Sequence, residues 1–315
     1  MKKIIPIICS VCILLLSLCS CGTEADSGKL KIVTTMFPAY DFARNIAGDN
    51  ADVSLLLPAG VESHSFEPTP KDMVKIENCD IFICNGGESE SWVESLLDSG
   101  EGDFSVVRMI DSAEENLLEE DEGEDGHDHD EDHNHGEGEI EYDEHIWTSP
   151  TICAKICNDI TAAICAEDSA NSKIYEANLD EYTDKLKQLD SDFKNVVNSA
   201  KRKEFIFGDR FPFKYFADEY GLTYYAAFPG CSSQTEPSAA TIAKLINKTS
   251  EDNIPAVFYI EMSNRSVADT LAESTGAKEL LFHSCHNLTK DEMQRGEDYL
   301  SLMNKNLENL KIALN

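Results

Sequence analysis

The chain of 315 residues is long enough to bury one large apolar core or two moderate ones, and it carries a formal charge of −33. That charge argues against nucleic acid and anionic membrane surface as partners, and it suits the attraction of cations. Much of the excess is local, because no Lys or Arg stands between Arg108 and Lys155.

The chain begins with the cationic "MKK" and the apolar "IIPIICSVCILLLSL", a stretch too short to span a membrane comfortably. Residues 1–20 therefore read as a signal peptide. In "LCSC", Leu18 stands three before Cys21 and Ser20 directly before it, which resembles the bacterial lipobox. That resemblance implies cleavage before Cys21, lipidation of its thiol and an extracytoplasmic location on the membrane, since two or more acyl chains anchor a protein stably. Residues 21–28 form a tether.

Residues 29–171 read as a first α/β lobe. The apolar runs "LKIVTTM", "ADVSLLL" and "CDIFICN" alternate with the helical segments "YDFARNIA", "PKDMVKIE" and "ESWVESLL". An acidic stretch follows over 112–142, poor in apolar residues and expected to be a disordered loop. It carries His127, His129, His133 and His135 between carboxylates. The lobe closes with "TSPTICAKICNDITAAI", a helix with Pro150 at its first position after Ser149.

Residues 172–200 form a single linking helix. Tyr175, Leu179, Tyr182, Leu186, Leu189, Phe193 and Val196 follow 4-3 spacing with polar residues elsewhere, one amphipathic stripe that suits a rigid strut. Residues 201–315 repeat the first rhythm. The runs "EFIFG", "LTYYAAF", "PAVFYIE" and "GAKELLF" alternate with "FKYFADEY", "PSAATIAKLINK", "RSVADTLAEST" and a C-terminal helix. Short β-rich runs alternating with helices predict two similar lobes, each with a parallel sheet.

Seven cysteines remain after Cys21. Cys79, Cys84 and Cys165 lie in apolar surroundings and suit core positions, and Cys153 and Cys157 are poorly spaced for a bridge. Cys231 and Cys285 lie in loops and are the disulfide candidates.

In open α/β sheets, ligands bind beyond the carboxyl ends of strands. His64, Asp209, Glu261, His283 and His286 all follow predicted strands, and His145 stands where the acidic loop returns to regular structure. Imidazoles and carboxylates converging on one cleft suit a divalent transition-metal ion.

The segments "GVESHSFEPTP", "DEHIWTSP", "FKYFADEYGL", "EPSAATIAKLI" and "YLSLMNKNLENLKIAL", in that order around a long helix, resemble the substrate-binding lipoproteins of zinc and manganese ABC importers, the ZnuA/TroA-like family. The resemblance covers nearly the whole mature chain. It implies two α/β lobes joined by a long helix, an ion between the lobes, an import permease as partner, and His64 and His145 as ligands. The family's third ligand falls on Arg210, whose guanidinium cannot coordinate a metal, so Asp209 one residue earlier takes that role. His286 stands in the region of the fourth ligand, with His283 as its rival. The set His64, His145, Asp209 and His286 is a closed zinc site, whereas Glu261 in place of His286 shifts the balance toward Mn²⁺. The family's zinc branch often carries a histidine-rich loop, here an accessory collector of ions. The expected protein is a monomer without enzymatic activity. The competing readings are an exported zinc hydrolase, with Glu62, Glu67 or Glu261 as base, and a surface adhesin holding metal structurally.

Overall fold

The computed structural model describes residues 28–62, 66–100, 102–120, 142–228 and 237–315. Strands β1 (Leu30–Thr34), β2 (Ala51–Leu55), β3 (Ile81–Cys84) and β4 (Ser105–Arg108) form a sheet in the order β2-β1-β3-β4. Strands β5 (Glu204–Arg210), β6 (Thr223–Phe228), β7 (Ala256–Tyr259) and β8 (Lys278–Leu281) form a second in the equivalent order β6-β5-β7-β8. Every pairing is parallel, with Ile32 opposite Ile81 in one sheet and Ile206 opposite Val257 in the other. All four residues of β3 are buried, the unbroken apolar run that a parallel sheet covered on both faces requires. Strand β4 has no counterpart in the sequence reading. It is a short edge strand with Val106 exposed, so no apolar run announces it.

The helices in the first half are α1 (Phe37–Ala47), α2 (Pro70–Glu77), α3 (Ser91–Ser99), α4 (Pro150–Glu167) and α5 (Ser172–Ser199). Helix α4 starts at Pro150 as expected, and Ser149 Oγ accepts from the Ile152 N–H at 3.1 Å. In the second half follow α6 (Lys214–Tyr220), α7 (Ala239–Glu251), α8 (Ser266–Thr275), α9 (Lys290–Arg295) and α10 (Tyr299–Ala313). Gly208 in β5 allows α8 to sit against the strand, because a Cβ there would meet the Ala268 Cα at 2.5 Å.

Helix α5 has 28 residues, about 42 Å at 1.5 Å per residue. Its stripe is buried as predicted at Tyr175, Tyr182, Leu186, Leu189, Phe193 and Val196. The stripe does not cross open space as a strut. It is embedded in one continuous core that runs from Ile32 and Ile81 in the first sheet to Phe205, Phe207 and Phe258 in the second. Smaller apolar clusters cover the outer face of each sheet, around Phe82 in one and Val257 in the other.

Residues 112–120, included in the expected disordered loop, are ordered. Residues 109–116 form a 3₁₀ turn with Ala113 wholly buried, Ser112 Oγ donates to Asp159, and Glu119 bridges to Tyr142. Ala113, Leu117 and Leu118 supply enough apolar contact against the first lobe to order this stretch despite its acids. Residues 121–141, with the four loop histidines, lie outside the described residues, as does Cys21.

One buried carboxylate ties three helices together. Asp41 on α1 accepts from the Tyr182 hydroxyl of α5 at 3.0 Å and from the Tyr299 N–H of α10 at 3.3 Å, with Arg44 at 2.9 Å. Burial pushes its pKa up and the Arg44 charge opposes the rise. Asp41→Ala leaves a buried hydroxyl and a buried N–H without their acceptor, at about 1–3 kcal/mol each. Chemical denaturation should show the variant destabilised by at least about 2 kcal/mol, and a smaller loss would mean that the three helices hold together without this junction.

Candidate metal centre

His145 precedes the short 3₁₀ turn Ile146–Thr148 that leads into α4, and only 2% of its surface is exposed. Its position is set by its neighbour two residues back. Asp143 Oδ1 accepts from the His145 backbone N–H at 2.8 Å and lies 3.1 Å from its Nδ1. Holding Nδ1 on a carboxylate orients the ring and makes Nε2 the nitrogen for a metal, the usual outer-shell arrangement of a ligating histidine. Burial disfavours the charged form of His145, but Asp143 outweighs it and the pKa rises. Asp143 is anchored in turn by the Tyr215 hydroxyl, which donates to its carbonyl at 2.8 Å. Beside it, Glu144 accepts from the Ser89 N–H at 2.9 Å and its carbonyl accepts from Asn85 Nδ2 at 3.0 Å, fixing the segment to the end of β3.

His286 comes from the other lobe, in the loop between β8 and α9. Its ring centroid lies 5.9 Å from that of His145 and 5.1 Å from Trp147. The loop is drawn onto the first lobe by hydrogen bonds across the seam. Trp147 Nε1 donates to the Ser284 carbonyl at 2.8 Å, and Asn287 Nδ2 donates to the carbonyls of Pro58 at 2.8 Å and Val61 at 2.9 Å. The Gly60 N–H completes the junction, donating to the Leu288 carbonyl at 2.8 Å. The stretch leading to His64 is thereby held against the loop bearing His286. His64 itself lies outside the described residues.

The other expected ligands are engaged elsewhere. Asp209 is the penultimate residue of β5, and its carboxylate accepts from the Arg210 N–H at 2.9 Å and the Ile260 N–H at 3.3 Å. Glu261 accepts from the Ser284 N–H at 2.8 Å and from the Ser284 hydroxyl, so it braces the loop that carries His286. Arg265 pairs with Glu279 and not with Glu261. His283 is 1% exposed and turned into the protein: its Nδ1 accepts from the Cys285 N–H at 2.9 Å, and its Nε2 lies 3.5 Å from Glu292. That contact holds the Glu292 pKa down to about 2.

The disulfide expectation is corrected in part. Cys285 is a free thiol, wholly buried in the shared core, and burial pushes its pKa up, which makes it inert. Cys231 lies outside the described residues. Cys285 and Met262 both have positive φ, 59° and 60°, so the backbone is strained at the ends of β8 and β7, beside His286 and Glu261.

Two adjoining cavities lie at the seam. The first, of about 20 Å³, is lined by Glu62, His145, Arg210, Glu261, His286 and Asn287 among others, and holds one water-sized occupant. The second, of about 210 Å³, shares Glu62, Arg210 and Glu261 and adds Asp209. His145 and His286 therefore share the small cavity, and Asp209 lines the neighbouring one. Among the described residues no group of three or more His, Cys, Asp or Glu side chains converges closely enough to hold an ion. Arg210 entered the sequence reading only as a residue unable to coordinate a metal, and Asp143, Trp147 and Asn287 were not picked out as parts of the centre. The spacing of Asp143 and His145 in "DEH" was the one signal for any of them.

Two α/β lobes of like strand order, with buried His145 from one and half-buried His286 from the other lining one small cavity, define a bilobal α/β fold with a candidate ligand cleft between its lobes. Residues 32–313 match the family described as "Zinc-uptake complex component A periplasmic", and the chain belongs to that family. The high-affinity zinc uptake system protein ZnuA of Bacillus subtilis (strain 168) is 38% identical over 313 residues, covering 97% of this chain and 95% of that protein. The zinc-binding lipoprotein AdcA of Streptococcus pneumoniae (strain ATCC BAA-255 / R6) is 36% identical over 315 residues and 99% of this chain, which spans 61% of that relative's length. Among solved structures, the Zn(II)-bound ZnuA-like domain of Streptococcus pneumoniae AdcA aligns with a TM-score of 0.74 at 32% identity, covering 91% of this chain and 99% of that one. The family is described as a zinc-uptake component, so the hydrolase reading is set aside.

Asp143→Asn keeps the shape of the support behind His145 and removes its charge. Titration calorimetry should show zinc affinity about 10–100-fold weaker, with the far-UV spectrum unchanged. Undiminished affinity would show that His145 needs no carboxylate behind it.

Proposed function

We propose that this chain is an extracytoplasmic receptor, anchored by lipid on Cys21, that captures Zn²⁺ between its lobes and delivers it to an ABC-type import permease. The observation that carries this reading is the pairing of His145 and His286, contributed by opposite lobes to one ion-sized cavity. His64 supplies a third imidazole from the loop that Asn287 pins. Three imidazoles and one oxygen donor suit zinc better than manganese. Asp209, the expected oxygen donor, would exchange hydrogen bonds from two backbone N–H groups for the ion. Mn²⁺ is the alternative cargo if Glu261 gives up Ser284 and turns into the cleft.

Bridging the lobes couples metal binding to stability. A ligand bound only by the folded state adds about 4 kcal/mol at a thousandfold excess over Kd. Zinc should raise the melting temperature of the wild type, and His64→Ala, His145→Ala and His286→Ala should each remove most of that rise and the tight calorimetric site. If all three variants keep the full zinc-induced rise, the capture reading fails.

The His127–His135 stretch acts as an accessory collector, because imidazoles and carboxylates alternating along one short segment offer several weak zinc sites rather than one tight one. Deleting residues 121–141 should leave one tight zinc site and remove several weak ones in the same titration. Loss of the tight site would make the loop the primary one.

A further inference from the structure

We propose that Trp147 is the positioning residue of the metal centre: its indole sets the spacing of the His145 and His286 imidazoles and so the affinity for zinc. The proposal rests on the zinc-capture reading and deepens it. Trp147 lies two residues after His145 in the first lobe and is 1% exposed. Its ring centroid lies 5.3 Å from that of His145 and 5.1 Å from that of His286, which are themselves 5.9 Å apart. The three rings form a nearly equilateral triangle with interplanar angles from 53° to 86°, at separations where aromatic pairs attract.

The indole is fixed from several sides. In the 3₁₀ turn Ile146–Thr148, the His145 carbonyl accepts from the Thr148 N–H at 3.1 Å and from the Thr148 hydroxyl at 2.8 Å. The Trp147 carbonyl accepts from the Tyr299 hydroxyl at 2.7 Å and from the Cys153 thiol at 3.0 Å. Tyr299 opens α10, and its N–H reaches Asp41, so the hold on Trp147 runs into the buried junction of α1, α5 and α10. An indole has one N–H donor and no acceptor. That donor is spent across the seam on the Ser284 carbonyl, two residues before His286. One first-lobe side chain therefore gives the second-lobe imidazole both a backbone anchor and a wall for its ring. A flat ring with only two side-chain torsions is a stiff spacer, so the two imidazoles meet an ion at a separation already set. Binding then costs less ordering, and affinity rises. Asn287 and Gly60 tie the same loop to the first lobe independently, so a change at Trp147 alters the ring geometry and leaves the seam joined.

The test compares wild type, Trp147→Phe and Trp92→Phe, each as the full chain without residues 1–20. Phenylalanine keeps an aromatic ring at position 147 and deletes the N–H, which leaves the buried Ser284 carbonyl without its donor. Titration calorimetry with ZnCl₂ should show Trp147→Phe weaker than wild type by at least about fivefold, the low end of the cost of an unpaired buried group. The same variant loaded with CoCl₂ should show shifted visible ligand-field bands, which report the arrangement of the ligands and not the stability of the fold. The chain has two tryptophans, so Trp92→Phe leaves Trp147 as the sole indole, and ZnCl₂ should alter its emission. A loss of zinc affinity smaller than about fivefold overturns the proposal, as do unchanged Co²⁺ bands. Emission of Trp92→Phe that is the same with and without zinc overturns it as well, and that arm decides the matter if Trp147→Phe does not fold. A wild-type chain with no tight zinc site instead overturns the zinc-capture reading on which the proposal stands.

Discussion

The structure depends on one amphipathic face. The stripe from Tyr175 to Val196 on α5 has no apolar partner within its own helix, and both lobes pack helices against it, α1 and α4 from the first and α6 and α10 from the second. Two lobes that share a core cannot swing as bodies on a flexible tether, because opening the seam would expose apolar surface at roughly 25 cal/mol per Å². The buried junction of Asp41 with Tyr182 and Tyr299 adds a polar lock to the same three helices. What freedom the seam keeps therefore lies in its strand-end loops rather than in the lobes as bodies.

Those loops are where the hydrogen bonds across the seam are concentrated. The segment from Ser284 to Leu288 meets Trp147 and the stretch Pro58–Val61, so the two lobes read each other's backbone within a few residues of His286. Positive φ at Cys285 and Met262 fits this placement. Non-glycine residues in that region cost about 1–3 kcal/mol each and persist where their surroundings over-determine them, often at binding sites. The same economy explains Glu261, whose two oxygens hold Ser284 and thereby aim the imidazole two residues further on.

Charge acts at two ranges. The large negative charge of the chain draws cations toward it from a distance. Within the cleft the charges are local: Asp143 is committed to His145, and Glu62, Asp209 and Glu261 line the same two cavities as Arg210. The long-range field acts on encounter, and the groups lining the cavities act only at close contact.

Much of this architecture is legible in the residues themselves. Alternating β-rich and helical segments announce two parallel-sheet lobes, the 4-3 stripe announces α5, and Ser149-Pro150 announces the start of α4, because these patterns depend on neighbours close in sequence. The position of His145 as a candidate ligand is legible in the same way, from "DEHIWTSP". What the sequence could not decide are contacts between distant segments. The edge strand β4 exists through pairing with β3, residues 112–120 are ordered by apolar contact with the lobe, and Cys285 turns inward because the shared core receives it. The second-lobe ligands fall in the same class. Asp209, Glu261, His283 and His286 all follow predicted strands, and nothing local separates them. Tertiary structure assigns Asp209 to backbone N–H groups, Glu261 to Ser284 and His283 to Glu292, and it brings His286 to His145. The physical reason is that a donor's role depends on which partner reaches it first, and those partners lie up to 229 residues away along the chain.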